Sequence, residues 1–170
     1  ADLVYVSDRD VTVWLNQGAR WSEPTVLPGT PMAPDADAIT LVDLLGTGVA
    51  GILWSRTTGA TTGARMWFLD LTGGRKPYLL ETMDNHLGSQ TRVTYEPSTK
   101  HYLRDQPNPN RRWKTTLPFP VQVVAKVEAI DQIAKGKLTT EYRYRHGYCD
   151  GTEREYRGFG CVEQRETPAT

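Results

Sequence analysis

LTTEYRYRHGYCDGTEREYRGFGCV, running from Leu138 to Val162, is the stretch on which the reading of the fold turns. In its first half Leu138, Thr140, Tyr142, Tyr144, His146 and Tyr148 alternate with Thr139, Glu141, Arg143 and Arg145, and Lys137 precedes them in phase with the charged set. A strand sends successive side chains to opposite faces, so this pattern predicts one aromatic face and one charged face. Asp150-Gly151 can supply the positive φ angles of a tight reversal. On the return, Tyr156 and Phe159 fall out of phase, with Gly158 and Gly160 around the slip. A β-bulge that re-aims Phe159 is predicted there. The segment reads as a β-hairpin.

Working outward, Val121 to Ile130 is the most apolar strand, dense in β-branched residues, and Lys135-Gly136-Lys137 turns it into the hairpin. Leu117-Pro118-Phe119-Pro120 is an extended lead-in, and Gln106-Pro107-Asn108-Pro109-Asn110 must be loop. Ser98 is placed to cap a short helical turn through Leu103. Tyr78 to Met83 reads as a strand, Asp84 to Gly88 as a turn, and Thr91 to Tyr95 as the return strand. Gly73-Gly74-Arg75-Lys76-Pro77 marks a domain boundary. No stretch shows a convincing helical period, so the class is all-β.

Upstream lies an internal repeat. Asp2-Leu3-Val4-Tyr5 is answered by Gly51-Ile52-Leu53-Trp54, and Val13-Trp14-Leu15 by Trp67-Phe68-Leu69, the extra length being absorbed by Thr57 to Gly63. A period of roughly 50 residues built from short strands is the mark of propeller blades. Between the copies, Val42 to Ile52 resembles an FG-GAP calcium loop. Asp43 matches its first ligand place, but Leu45 and Gly51 stand where further oxygen donors belong. Calcium needs six to eight oxygens, so this reads as a turn that kept its glycines and lost its metal.

Several linked motifs carry a broader resemblance: Leu117 to Val124, Tyr142-Arg143-Tyr144, His146-Gly147-Tyr148 with Asp150-Gly151, and Glu155-Tyr156-Arg157-Gly158-Phe159-Gly160. In this order they resemble the B component of bacterial Tc insecticidal toxin complexes and related plasmid virulence protein B-type proteins, bordering on the Rhs/YD-repeat proteins. The resemblance implies that residues 1–77 are the end of an FG-GAP-like β-propeller and residues 78–170 the first strands of a hollow shell. It implies a non-catalytic part of a secreted, extracellular complex that encapsulates and delivers a toxic enzyme. The implied partners are an Rhs-type C component, which completes the shell, and a pore-forming A component, on which the propeller docks. A propeller-type module recognising carbohydrate or protein at a cell surface is the alternative, with Trp14, Trp21 and Trp67 as its platform.

The remaining features bound the function. Lys+Arg and Asp+Glu are both 20, so no excess field draws in nucleic acid or an anionic membrane. No run approaches the ~20 apolar residues of a membrane span, and no signal peptide is visible. The chain opens directly in a strand at Ala1 to Val6 and so reads as a piece of a longer protein. Cys149 and Cys161 flank the return strand. Laid out as one extended run they would stand ~40 Å apart, too far for a bridge.

His146 and Cys149 are too poorly placed on the strand to make a nucleophilic pair, and no third group orients them. Arg143, Arg145, Arg154 and Arg157 with Glu141, Glu153 and Glu155 are expected to pair across the hairpin. Arg111-Arg112-Trp113-Lys114 reads as an exposed loop, and Asp84, Asp131 and Asp150 as turn carboxylates that bond local backbone. No catalytic, cofactor-binding or metal-binding residue is assigned, and no cofactor is expected.

Overall fold

The computed structural model describes residues 2–33, 36, 38–56 and 65–169. They form two compact units, Ala1–Val42 with Ala50–Leu71, and Asp43–Val49 with Thr72–Thr170. The all-β expectation holds, with antiparallel sheets throughout.

The first unit contains two three-stranded sheets. In one, β2 (Asp10–Trp14) lies between β1 (Leu3–Val6) and β3 (Thr25–Pro28). In the other, β5 (Gly51–Ser55) lies between β4 (Ala38–Val42) and β6 (Met66–Leu69). Both copies of the sequence repeat fall on adjacent antiparallel strands, β1 with β2 and β5 with β6, but at different places in their sheets: β1 is an edge strand and β5 the central one. The predicted insertion at Thr57 to Gly63 lies outside the described residues. Val11, Ile52 and Trp54 are the buried core, with Val4, Val6, Val13, Leu27, Trp67 and Leu69 packed against them. Glycine opens β5 for a steric reason. A Cβ on Gly51 would run into the Phe68 ring and the Leu69 carbonyl, so β6 could not approach.

The second unit is a five-stranded sheet in the order β11-β10-β9-β8-β7. Its strands are β7 (Thr82–Asp84), β8 (Ser89–Pro97), β9 (Gln122–Asp131), β10 (Lys137–Asp150) and β11 (Glu155–Ala169). Only three residues of the predicted strand at 78–83 and its turn are in register with β8, and Tyr78 has φ 63°. Turn carboxylates and amides behave as expected. Asp84 accepts from the His86 N–H, Asn85 from those of Leu87 and Ser89, and Asp131 from those of Ile133 and Ala134.

One helix, α1 (Ser98–Asp105), follows β8. It extends beyond the single turn that the sequence suggests, because its buried stripe is Ser98, His101 and Asp105, which no apolar period can reveal. Ser98 does not cap it. The Ser98 hydroxyl instead accepts from the Val121 N–H at 3.0 Å, while the Ser98 N–H donates to the Val121 carbonyl at 2.8 Å. This pair pins the start of α1 to the entry of β9. The segment Asp43–Val49 packs in the same unit: the Thr99 hydroxyl donates to the Gly46 carbonyl, and the Gln122 amide to the Thr47 carbonyl at 2.6 Å.

Candidate assembly surface

The β10–β11 hairpin is the dominant feature of the second unit, and its two sides differ in chemistry. Register places Glu141 opposite Arg165, Arg143 opposite Glu163 and Arg145 opposite Cys161. Directly opposed residues share a face, so these charges form one side, while Thr140, Tyr142 and Tyr144 form the other. On the charged side Arg145 bridges diagonally to Glu163, and on β9 Glu128 is held by both Lys126 and Lys137. Near the turn Arg157 bonds Glu153 and Glu155. Across the hairpin the ion pair is thus Arg145–Glu163, with an acid outside the expected set, whereas Glu153 and Glu155 bond Arg157 within their own turn and strand rather than across to β10. Because the ions neutralise one another, this side is wettable without carrying a strong field.

Two irregularities assemble the aromatic side. Tyr148 faces Gly158 but Cys149 faces Tyr156, so one extra residue is accommodated at Arg157, next to Gly158 with φ 93°. This is the predicted bulge, and it brings Tyr156 and Phe159 together, ring centroids 6.0 Å apart. The second irregularity was not legible in the sequence. His146 has φ 59° inside the strand, which interrupts the alternation. Beyond it Gly147 is buried while Tyr148 is 45% exposed, so His146 and Tyr148 do not continue the face of Tyr144 as the period of two predicts. The interruption turns Phe159, opposite Gly147, toward Tyr144, with centroids 4.9 Å apart.

Gly147 is required by what covers it. A Cβ there would collide with Leu117 and press on Phe159, whose ring lies over its backbone. The loop before β9 is fastened along His146 and Gly147. Lys114 N–H donates to His146 Nδ1 at 3.1 Å, and the Thr115 hydroxyl donates to the Gly147 carbonyl at 2.9 Å. Trp113 is thereby carried into a chain of edge-to-face contacts, 5.5 Å from Tyr102 and 5.9 Å from Phe159. His101 meets Tyr144 edge-on at 5.5 Å. The Tyr144 hydroxyl donates to the Val124 carbonyl at 2.9 Å, past the point where β9 and β10 cease to pair.

The candidate residues of the sequence resolve as follows. Arg111, Arg112 and Lys114 are exposed in a loop, as expected, but Trp113 is buried, 9% exposed, so the cluster presents no stacking ring. The turn does not use Gly151 for a positive φ. Arg154 adopts it, and the Asp150 carboxylate accepts from the Thr152 and Glu153 N–H groups. Cys149 and Cys161 are free thiols. The reversal between them folds the chain back, so they are separated by about four residues of strand, on the order of 13 Å, rather than by the extended length. His146 Nδ1 is taken by a backbone donor and does not face Cys149. Asp43 spends both carboxylate oxygens on the Thr47 and Gly48 N–H groups. Of the three tryptophans, Trp21 is 50% exposed, while Trp14 and Trp67 are half-buried.

The shifted groups belong to packing. Burial lowers the His101 ring below the ordinary histidine range, helped by the Arg104 guanidinium and opposed by Glu96 and Asp105. The hydrogen bond from Lys137 holds the Glu128 carboxyl below the usual carboxylate range. Burial pushes the Tyr144 and Tyr156 hydroxyls up. No group of three or more His, Cys, Asp or Glu suited to a metal occurs among the described residues. The fifteen-residue β11 pairs only with β10 among the described strands, leaving a long row of backbone donors and acceptors at the sheet margin. This arrangement is suited to adding a strand. The burial of His101 and of Trp113 was not legible in the sequence, because both lie in segments without a strand or apolar helix period.

A family profile described as the insecticide toxin TcdB middle/N-terminal region matches residues 15–170. The crystal structure of TcdB2-TccC3 superposes with a TM-score of 0.81 at 32% identity, covering 99% of this chain and 8% of that one. TcdB2-TccC3 without its hypervariable C-terminal region gives 0.80 at 33%, with the same coverage. TcdB2-TccC3-Cdc42 gives 0.81 at 32%, again over 99% and 8%. The chain thus spans about 8% of the length of the solved chains it matches. Among curated proteins there is no match.

Proposed function

The chain belongs to the insecticide toxin TcdB middle/N-terminal family, and from that membership we propose that it is walling material in the B component of a secreted Tc toxin complex. In this reading residues 1–77 close a β-propeller that docks on a pore-forming A component. Residues 78–170 begin the shell that an Rhs-type C component completes around a toxic enzyme. The segment contributes no reacting group of its own and takes no cofactor, nucleic acid or membrane as partner.

The observation that carries the reading is the hairpin: a self-neutralised charged side, an aromatic side consumed by its own packing, and a long strand margin open to the next strand. Such a unit extends a sheet and excludes solvent without bringing nucleophile, acid and base together. Val162→Pro and Glu163→Pro in the full-length protein test it. Adjacent residues point their N–H groups to opposite edges, so one of the two variants removes a donor from the open margin. Loss of the co-purifying C component and of protease protection of its cargo in that variant is expected. Retention of both properties in both variants overturns the proposal.

The surface-binding alternative keeps one ring, Trp21, half exposed on a short bridge with Asn16. Glycan-array binding that is lost in Trp21→Ala would favour it.

A further inference from the structure

Three buried polar atoms without a hydrogen-bond partner, His101 Nε2, Asp105 Oδ2 and Trp113 Nε1, belong to α1 and the loop packed beside it. His101 and Asp105 are four residues apart on one side of α1, 1% and 3% exposed. Arg104 serves both. Its Nη2 lies 3.1 Å from His101 Nδ1, and its Nε lies 3.6 Å from Asp105 Oδ1. A guanidinium can only donate, so Nδ1 is the accepting nitrogen and the ring is neutral with its hydrogen on Nε2. The other groups facing the ring are Glu96 of β8, with Oε2 3.6 Å from Nε2, Lys100 of α1, which is paired to Glu96, and Tyr144 of β10, edge-on at 5.5 Å.

We propose that His101, Arg104 and Asp105 form an acid-sensitive latch between α1 and the hairpin, released when a proton from solvent binds Nδ1 of His101. Protonation converts the one acceptor facing Arg104 into a donor, so the guanidinium must leave. Its side chain is 38% exposed and has water to move into. The buried Asp105 carboxylate then loses the cation beside it, and a charged ring is left against the edge of Tyr144. Glu96 pulls the imidazolium toward β8, away from the position that Tyr144 packs against. A ring that resists protonation when docked takes its proton more readily when α1 has moved off. Docking is therefore at full strength above the ordinary histidine range, about pH 6.5, and weakens as pH falls through it toward the lower value of the docked ring.

Hydrogen exchange of the peptide spanning α1, measured in the full-length protein and corrected for intrinsic rates, tests the latch. Between about pH 7.5 and about pH 5 the wild type should lose protection severalfold, in the direction that a lowered ring in the docked state requires. His101→Gln should hold its protection at both values, because its amide oxygen accepts from Arg104 and does not titrate. If that variant fails to fold, ring resonances of isotope-labelled histidine in the wild type replace it. The Nε2–H tautomer should then give way to imidazolium together with the loss of α1 protection. Unchanged wild-type protection, the same pH profile in the glutamine variant, or loss of protection without imidazolium overturns the proposal.

Discussion

The two units differ in the kind of interior they use. In the first, Val11, Ile52 and Trp54 are ringed by aliphatic side chains and the Trp67 ring, and the stabilisation scales with the apolar area removed from water. In the second, α1 and its following loop meet the hairpin through ring edges, with Ser98, His101 and Asp105 buried among them. An interior of the first kind depends mainly on volume. One of the second kind depends on orientation, because ring quadrupoles and hydrogen bonds both weaken over small displacements.

The largest effect is expected where volume rules. Trp54→Ala should cost ~3–5 kcal/mol, read by denaturant unfolding and by faster exchange of β2 and β5 amides. A loss of under ~1 kcal/mol would mean that the first unit does not rest on this core. Gly147→Val should cost ~1–3 kcal/mol by overpacking Leu117 and Phe159, with faster exchange in β10 near His146. If it is neutral, orientation in the aromatic cluster is looser than the comparison requires. Tyr144→Phe keeps the ring and removes the bond to Val124, for ~1 kcal/mol by thermal or chemical unfolding.

Glu128 sharpens the comparison on the charged side. Its carboxyl is held low in the folded state, so its stabilisation is present above about pH 4.5 and is lost as pH falls through the folded value. Glu128→Gln should flatten the acid limb of the stability–pH curve and leave the neutral limb unchanged in slope. Arg157→Ala, at an exposed pair near the turn, should change stability by no more than ~0.5 kcal/mol, and less at high salt.

The hairpin was legible because its information is local. Alternation from Leu138 to Arg145 and the phase slip at Gly158 sit within a few residues, and both translate directly into register. The left-handed conformation at His146 was not legible. Nothing in the sequence beside it requires φ 59°; that conformation is held by a loop some thirty residues earlier, through the Lys114 N–H and the Thr115 hydroxyl. Trp113 misled for the same reason. Flanked by Arg111, Arg112 and Lys114 it looks exposed, yet the loop turns its ring inward against Tyr102 and Phe159. The second unit's helix was underestimated because periodicity detects apolar stripes, and this one is polar.

By itself the sequence determined the strands, their turns and the division of the hairpin into a charged and an aromatic side, since backbone periodicity and turn chemistry act over neighbouring residues. Only the tertiary structure decided which rings meet, which acids and bases pair diagonally, and where His101 and Trp113 are buried. Those outcomes depend on residues far apart in the chain competing for the same space, and neither spacing nor composition records which of them wins.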